Sequence, residues 1–171
     1  MLAEAFSGLI PARVYTSDLS RSLQTANPVV EATGATLEVR RSLRERCFGE
    51  WESDPFPSIR ERSPDHTDLD RIFEFRPPGG ESFCDVWNRL DDVVYEIEGG
   101  HDDLAIVSHG GAGALLLAKL LKANFETSRS FRLDNASVTE LQAKDGCFKL
   151  IRYNDVSHIR IGAKPSGHHD R

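Results

Sequence analysis

The stretch Ala105-Ile106-Val107-Ser108-His109-Gly110-Gly111 joins a compact apolar run to the apolar segment Ala112–Leu121. It reads as strand, loop and helix. In doubly wound sheets ligands gather at such junctions, because free N–H groups and the helix dipole favour anions there. His109 at that spot can donate to a phosphoryl oxygen, and the two glycines let a ligand approach the backbone. Taken alone, the same residues also describe a tight turn whose histidine caps a neighbour.

Three further segments have residue types suited to the same chemistry. Tyr15-Thr16-Ser17-Asp18-Leu19-Ser20-Arg21 repeats the layout of strand, loop and helix start, placing Arg21 in the first turn of a helix. Its guanidinium there is either a second clamp on an anion or a solvated surface charge. Leu43-Arg44-Glu45-Arg46 puts Glu45 between two arginines, as a general acid/base beside an anion pocket or as part of a charged loop. Pro78-Gly79-Gly80-Glu81-Ser82 reads as a turn and helix cap.

The order of these segments carries more than any one of them. SDLSRSLQTA, LRERCFGEWE, PPGGESF followed by an arginine, AIVSHGG, NASVTEL and YNDVSHI together resemble the consecutive blocks of the histidine phosphatase (phosphoglycerate mutase-like) superfamily, from about Leu2 to Ile159. The resemblance implies a phosphoryl pocket of two histidines and two arginines, working through a phosphohistidine without a cofactor. By that resemblance Arg21 is a pocket arginine and Glu45 the residue that protonates the leaving oxygen and later activates water. His109 is then the histidine that stabilises charge on the phosphoryl group. Ser17, Arg46 and Gly110 are implied substrate-binding neighbours, Glu81 a positional glutamate, and Asn135 and His158 members of structural blocks.

The resemblance also implies a first strand ending in Arg-His-Gly, whose histidine attacks phosphorus. No Arg-His-Gly occurs in the 171 residues, whose one His-Gly pair is His109-Gly110. None of His66, His101, His158, His168 and His169 follows an apolar strand. The expectation is a domain truncated at its N-terminus and inactive by itself. Glu45-Arg46-Cys47-Phe48-Gly49 keeps the glutamate, arginine and glycine of the mutase pattern Glu-Arg-His-Tyr-Gly but not its histidine and tyrosine. Trp51-Glu52 looks like the phosphatase branch, so a phosphomonoesterase is expected rather than a mutase. Ala114 stands where many members have an arginine. The alternatives are a phosphoglycerate mutase-type enzyme and an inactive relative that binds phosphorylated ligands or a protein. A nucleotide-binding module is disfavoured, because no glycine-rich phosphate loop follows an early strand.

The elements that must position these residues are legible in outline. Strands are expected over Arg13–Tyr15, Thr36–Val39 and Leu104–Val107, with a helix over Leu19–Ala32 closed by Gly34. Phe83, Val86, Trp87, Leu90, Val93, Val94 and Ile97 make one apolar stripe of a helix opened by Ser82. Arg40 to Gly80 reads as an excursion with a short helix or two, a candidate lid. Val138–Gln142 and Phe148–Tyr153 face each other across Asp145-Gly146 as a hairpin. Met1 to Pro11 reads as the tail of a helix. The fold class is therefore α/β, a mostly parallel sheet flanked by helices, in a single domain over residues 1–161 with a disordered tail over 162–171.

Bulk properties narrow the partners. A net charge of -6 gives no support to nucleic-acid binding. No apolar run reaches membrane-spanning length. Leu2–Phe6 has no basic flank and contains Glu4, so no signal peptide is expected. Cys47, Cys84 and Cys147 are too far apart for a zinc site and odd in number, which favours a reducing compartment. The expectation is a cytoplasmic protein taking a small phosphorylated metabolite, with no metal, as a homodimer or with strand exchange between chains.

Overall fold

The computed structural model describes residues 10–64, 68–100 and 102–160. The helix tail expected before Pro11 lies almost wholly outside them, as do His66, His101 and the tail with His168 and His169. Three parallel strands form the centre: β1 (Arg13–Thr16), β2 (Thr36–Val39) and β3 (Leu104–Val107), in the order β2-β1-β3. The register pairs Thr16 with Val39 on one side and with Val107 on the other. Ser17 and Ser108 therefore leave the sheet side by side at its C-terminal edge. Among the described residues β3 pairs with β1 alone.

The period-2 alternation of the strands divides the core between two faces. Val14 and Ala105 lie with Ala26, Val29 and Ala35 under α1 (Ser20–Thr33). Tyr15 packs on the other face with Leu43, Val86, Leu90, Val93, Leu115 and Leu116. That second layer comes from α4 (Phe83–Arg89), α5 (Asp91–Gly99) and α6 (Gly110–Leu120). The short α2 (Phe56–Arg62) and α3 (Leu69–Glu74) sit in the excursion between β2 and α4. Ser82 caps α4 through a reciprocal pair: its Oγ accepts the Asp85 N–H at 3.1 Å and Asp85 Oδ2 accepts the Ser82 N–H at 2.7 Å.

The stripe from Phe83 to Ile97 is divided rather than continuous. The break falls at Leu90, fully buried, and α5 starts afresh on Asp91 and Asp92. Two acids in a first turn complement the helix dipole, a signal that apolar spacing does not register. After α7 (Phe125–Ser128) the chain forms a hairpin of β4 (Val138–Lys144) and β5 (Cys147–Asp155), followed by α8 (Ser157–Arg160). Asp145 at φ 52 and Gly146 at φ 74 give the hairpin the left-handed two-residue turn that Asp-Gly favours. No helix among the described residues is long and apolar enough to cross a membrane.

Candidate active site

The parallel register dictates the first contact. With Thr16 opposite Val107, the two loops leave together, and Ser17 Oγ lies 2.8 Å from His109 Nε2. Arg21, in the first turn of α1, donates from Nε to His109 Nδ1 at 3.2 Å. A guanidinium can only donate, so Nδ1 is the acceptor. The ring proton then sits on Nε2 and is given to Ser17. Burial and the neighbouring Arg21 charge push the His109 imidazole below its ordinary value, with Glu45 pulling the other way. The ring is neutral and held at both nitrogens.

Buried hydroxyls fix this corner from beneath. Thr16 Oγ1 and Ser22 Oγ are 2.8 Å apart, and Ser22 Oγ donates to the Val107 carbonyl at 3.0 Å. Both residues are buried, so α1 is stapled to the ends of β1 and β3. Ser108 Oγ donates to the Leu43 carbonyl at 2.9 Å, tying the Glu45 loop to the same edge.

Glu45 meets α6 directly. Its Oε2 accepts the Gly111 N–H at 2.8 Å, while Oε1 accepts the Ala112 N–H at 3.1 Å and the Arg46 N–H at 2.9 Å. The start of the histidine's own helix thus holds a carboxylate of the protein. This differs from the simple expectation that those N–H groups face an external anion. Neighbouring charge offers the reason: a loop glutamate that reaches a helix N-terminus satisfies otherwise unpaired donors.

A partly buried clamp holds the loop that carries Glu45. Arg89 donates to Glu81 from Nε at 2.9 Å and from Nη2 at 3.2 Å. Its Nη2 also reaches the Arg44 carbonyl at 2.7 Å and the Glu45 carbonyl at 3.2 Å, and Nη1 the Ser42 carbonyl. Glu81 Oε2 accepts the Cys47 N–H at 3.0 Å. Burial pushes the Glu81 carboxyl up, but Arg89 and the Cys47 N–H outweigh it and leave it below the ordinary carboxylate range. On the outer side Asp18 receives Arg44 at two atoms and Arg41 at one, and the Arg44 hydrogen bond holds its carboxyl well below that range.

Of the residues singled out from the sequence, Arg21 and Ser17 each touch His109, and Glu45 joins them through α6. Gly110 is the first residue of that helix. Arg46 is buried, with Nε on the Glu81 carbonyl at 2.7 Å, Nη2 on the Phe75 carbonyl at 3.0 Å and its guanidinium 4.2 Å over the Phe83 ring. Its guanidinium contacts backbone carbonyls and not His109. Burial lowers its affinity for a proton, as expected of a cation among carbonyls and rings. His158 is buried and Asn135 exposed. Asp18 and Ser22 have no site role in the sequence reading, Arg89 enters it only as the arginine after PPGGESF, and Gly111 only as one of two glycines that open the backbone. Asp18 and Arg89 could have been read as charges near the motifs, but nothing local pairs them across dozens of residues.

A parallel α/β sheet with histidine, arginine and glutamate gathered at the C-terminal ends of its strands defines a class of phosphate-handling folds. The family comparison is more specific: residues 1–156 match the model of the histidine phosphatase superfamily (branch 1). The chain belongs to that superfamily. A Hydrogenobacter thermophilus protein named as a candidate phosphoserine phosphatase is 28% identical over 153 residues, covering 86% of this chain and 74% of that protein. The bifunctional protein Rv2228c of Mycobacterium tuberculosis is 33% identical over 155 residues, covering 86% of this chain and 42% of its own length. The chain thus spans well under half of that relative. The structure of the mycobacterial glucosyl-3-phosphoglycerate phosphatase Rv2419c with inorganic phosphate superposes with a TM-score of 0.75 at 30% identity, over 90% of this chain and 82% of that one.

Proposed function

We propose that this chain supplies the phosphate-binding and acid–base parts of a phosphomonoesterase acting on a small phosphorylated metabolite. The carrying observation is His109 held between Ser17 and Arg21 beside the Glu45 carboxylate. In this reading a histidine that is not among these 171 residues attacks phosphorus, forming a P–N bond as the P–O bond to the leaving group breaks. Arg21 and His109 stabilise charge on the equatorial oxygens, Arg21 turning its N–H from Nδ1 and His109 its Nε2–H from Ser17 to the phosphoryl group. Glu45 gives a proton to the leaving oxygen. It then takes one from the water whose oxygen displaces the histidine, releasing phosphate.

The hydrogen bonds indicate which Glu45 oxygen carries that proton. Oε1 already accepts two N–H groups and Oε2 one. A carboxylate oxygen offers two lone pairs, so Oε2 keeps one for the proton. Arg46 acts in this reading by holding the loop. Phosphatase is favoured over mutase by Cys47 and Phe48, which stand where the mutase pattern has histidine and tyrosine, and by Trp51-Glu52.

Hydrolysis of para-nitrophenyl phosphate tests the proposal. The 171-residue chain should give little or none, and a form carrying an Arg-His-Gly strand ahead of it should turn over. Robust turnover by the 171 residues, lost in His109→Ala, would show that the nucleophile is misassigned.

A further inference from the structure

We infer that Gly111 is a positioning residue: its missing side chain lets the Glu45 carboxylate dock on the first turn of α6 and so fixes the acid/base group relative to His109. The function given to Glu45 rests on the phosphatase reading, but the docking is geometric. A Cβ built at residue 111 would lie 2.7 Å from Glu45 Oε1, 3.3 Å from Cδ and 3.4 Å from Oε2. At Gly110, one residue earlier, it would meet nothing nearer than the Leu133 carbonyl at 3.9 Å. Sterics therefore ask for glycine at 111 and not at 110. Gly110 leaves open space at the start of the helix, whereas Gly111 makes room for a carboxylate.

The obstructed group is the far end of a flexible side chain. The carboxylate would accordingly yield to an added methyl before the backbone does. Displacing it removes acceptors from the Gly111 and Ala112 N–H groups together. It also moves a negative charge away from His109. That imidazole is lowered by burial and by Arg21, raised by Glu45 and lowered again by Arg89, so losing the Glu45 contribution should push it further down.

Heteronuclear NMR of the 171-residue chain through a pH titration gives the test. In the parent protein the Ala112 amide should follow ionisation of Glu45, and Glu45→Gln should abolish that response. In Gly111→Ala the response should leave Ala112 and the His109 midpoint should fall. In a Glu45→Ala background the same glycine substitution should change neither. Thermal melting guards against a variant that fails to fold. Gly111→Ala should lower Tm by about 2–4 °C more with Glu45 present than in Glu45→Ala, the shift expected for one modest contact in a chain of this size. An Ala112 amide that still tracks Glu45 with His109 unmoved, or equal Tm changes in both backgrounds, overturns the inference. Calorimetric titration with inorganic phosphate keeps the two ideas apart. Phosphate that does not bind, or binds equally to Arg21→Ala, sinks the phosphatase reading and leaves the Gly111–Glu45 coupling standing. Phosphate that binds alongside additive variants does the reverse.

Discussion

Two strand–loop–helix units lie side by side in this molecule and use their helix starts in opposite ways. β3 runs through His109 into α6, whose first free N–H groups are given to the Glu45 carboxylate. β1 runs through Ser17 into α1, which has no side-chain cap at Leu19 and no acid in its first turn. It carries Arg21 there instead. A cation at a helix N-terminus is opposed by the dipole, so Arg21 is poorly placed for the stability of α1. It is well placed to give N–H groups to whatever meets His109. One unit holds an anion of the protein, and the other accepts a local cost in order to present a cation.

That contrast can be broken most severely at Glu45. In a form that turns over, Glu45→Gln should slow hydrolysis by about 10²–10⁴, the usual worth of a general acid/base. Steady-state rates at saturating substrate measure it. A loss below about tenfold would reduce Glu45 to a cap for α6 and remove the functional half of the comparison.

The next effect concerns how the Glu45 loop is held. Arg89→Ala breaks a partly buried ion pair and leaves the Ser42, Arg44 and Glu45 carbonyls without their donor. Leaving such acceptors without a donor costs about 1–3 kcal/mol, and the partial solvent access of both side chains keeps the ion pair's own share small. Urea unfolding at neutral pH reads the loss directly. The acid side sharpens it. Against the upward push of burial, Arg89 and the Cys47 N–H hold the folded-state pKa of Glu81 below its ordinary value of 4.5. The carboxyl therefore contributes stability that is present above 4.5 and lost as pH falls through its folded value. In Arg89→Ala that acid-side loss should shrink. An unchanged slope would mean that the Cys47 N–H, and not Arg89, holds the carboxylate ionised.

The smallest effect lies in the β1 unit. Arg21 is the second cause, after burial, of the lowered His109 pKa. Arg21→Ala should move the His109 midpoint upward, read from its ring protons by NMR. Because the folded value lies below the ordinary 6.5 of a histidine, His109 costs stability as pH falls from 6.5 through the folded value. Removing Arg21 should narrow that window. A midpoint that stays put would show that the Arg21 N–H contact is incidental and that burial alone sets the titration.

Much of this arrangement was legible in the sequence because it is local. The apolar runs at Arg13–Thr16 and Leu104–Val107, the Ser82 cap and the Asp145-Gly146 turn are each decided within a few residues. His109 and Arg21 stand just past strand ends, where a doubly wound sheet gathers ligands, so their residue types and positions sufficed to single them out. The single stripe read from Phe83 to Ile97 shows where that logic stops, since apolar spacing is blind to the two acids that restart the helix at Asp91.

What only the tertiary structure decided is which group each of these residues meets. The register of β1 against β3 turned Ser17 into a partner of His109. Close approach of the Glu45 loop turned Gly111 from a flexible residue into a site where a side chain fits only if the Glu45 carboxylate moves. Arg46 and Arg89 look alike in the sequence as arginines near acids. Burial sent Arg46 to two carbonyls and the Phe83 ring, and made Arg89 the clamp on Glu81. An arginine's reach spans several turns of chain in every direction. Its partner is fixed by packing and desolvation, and those exist only once the layers have closed.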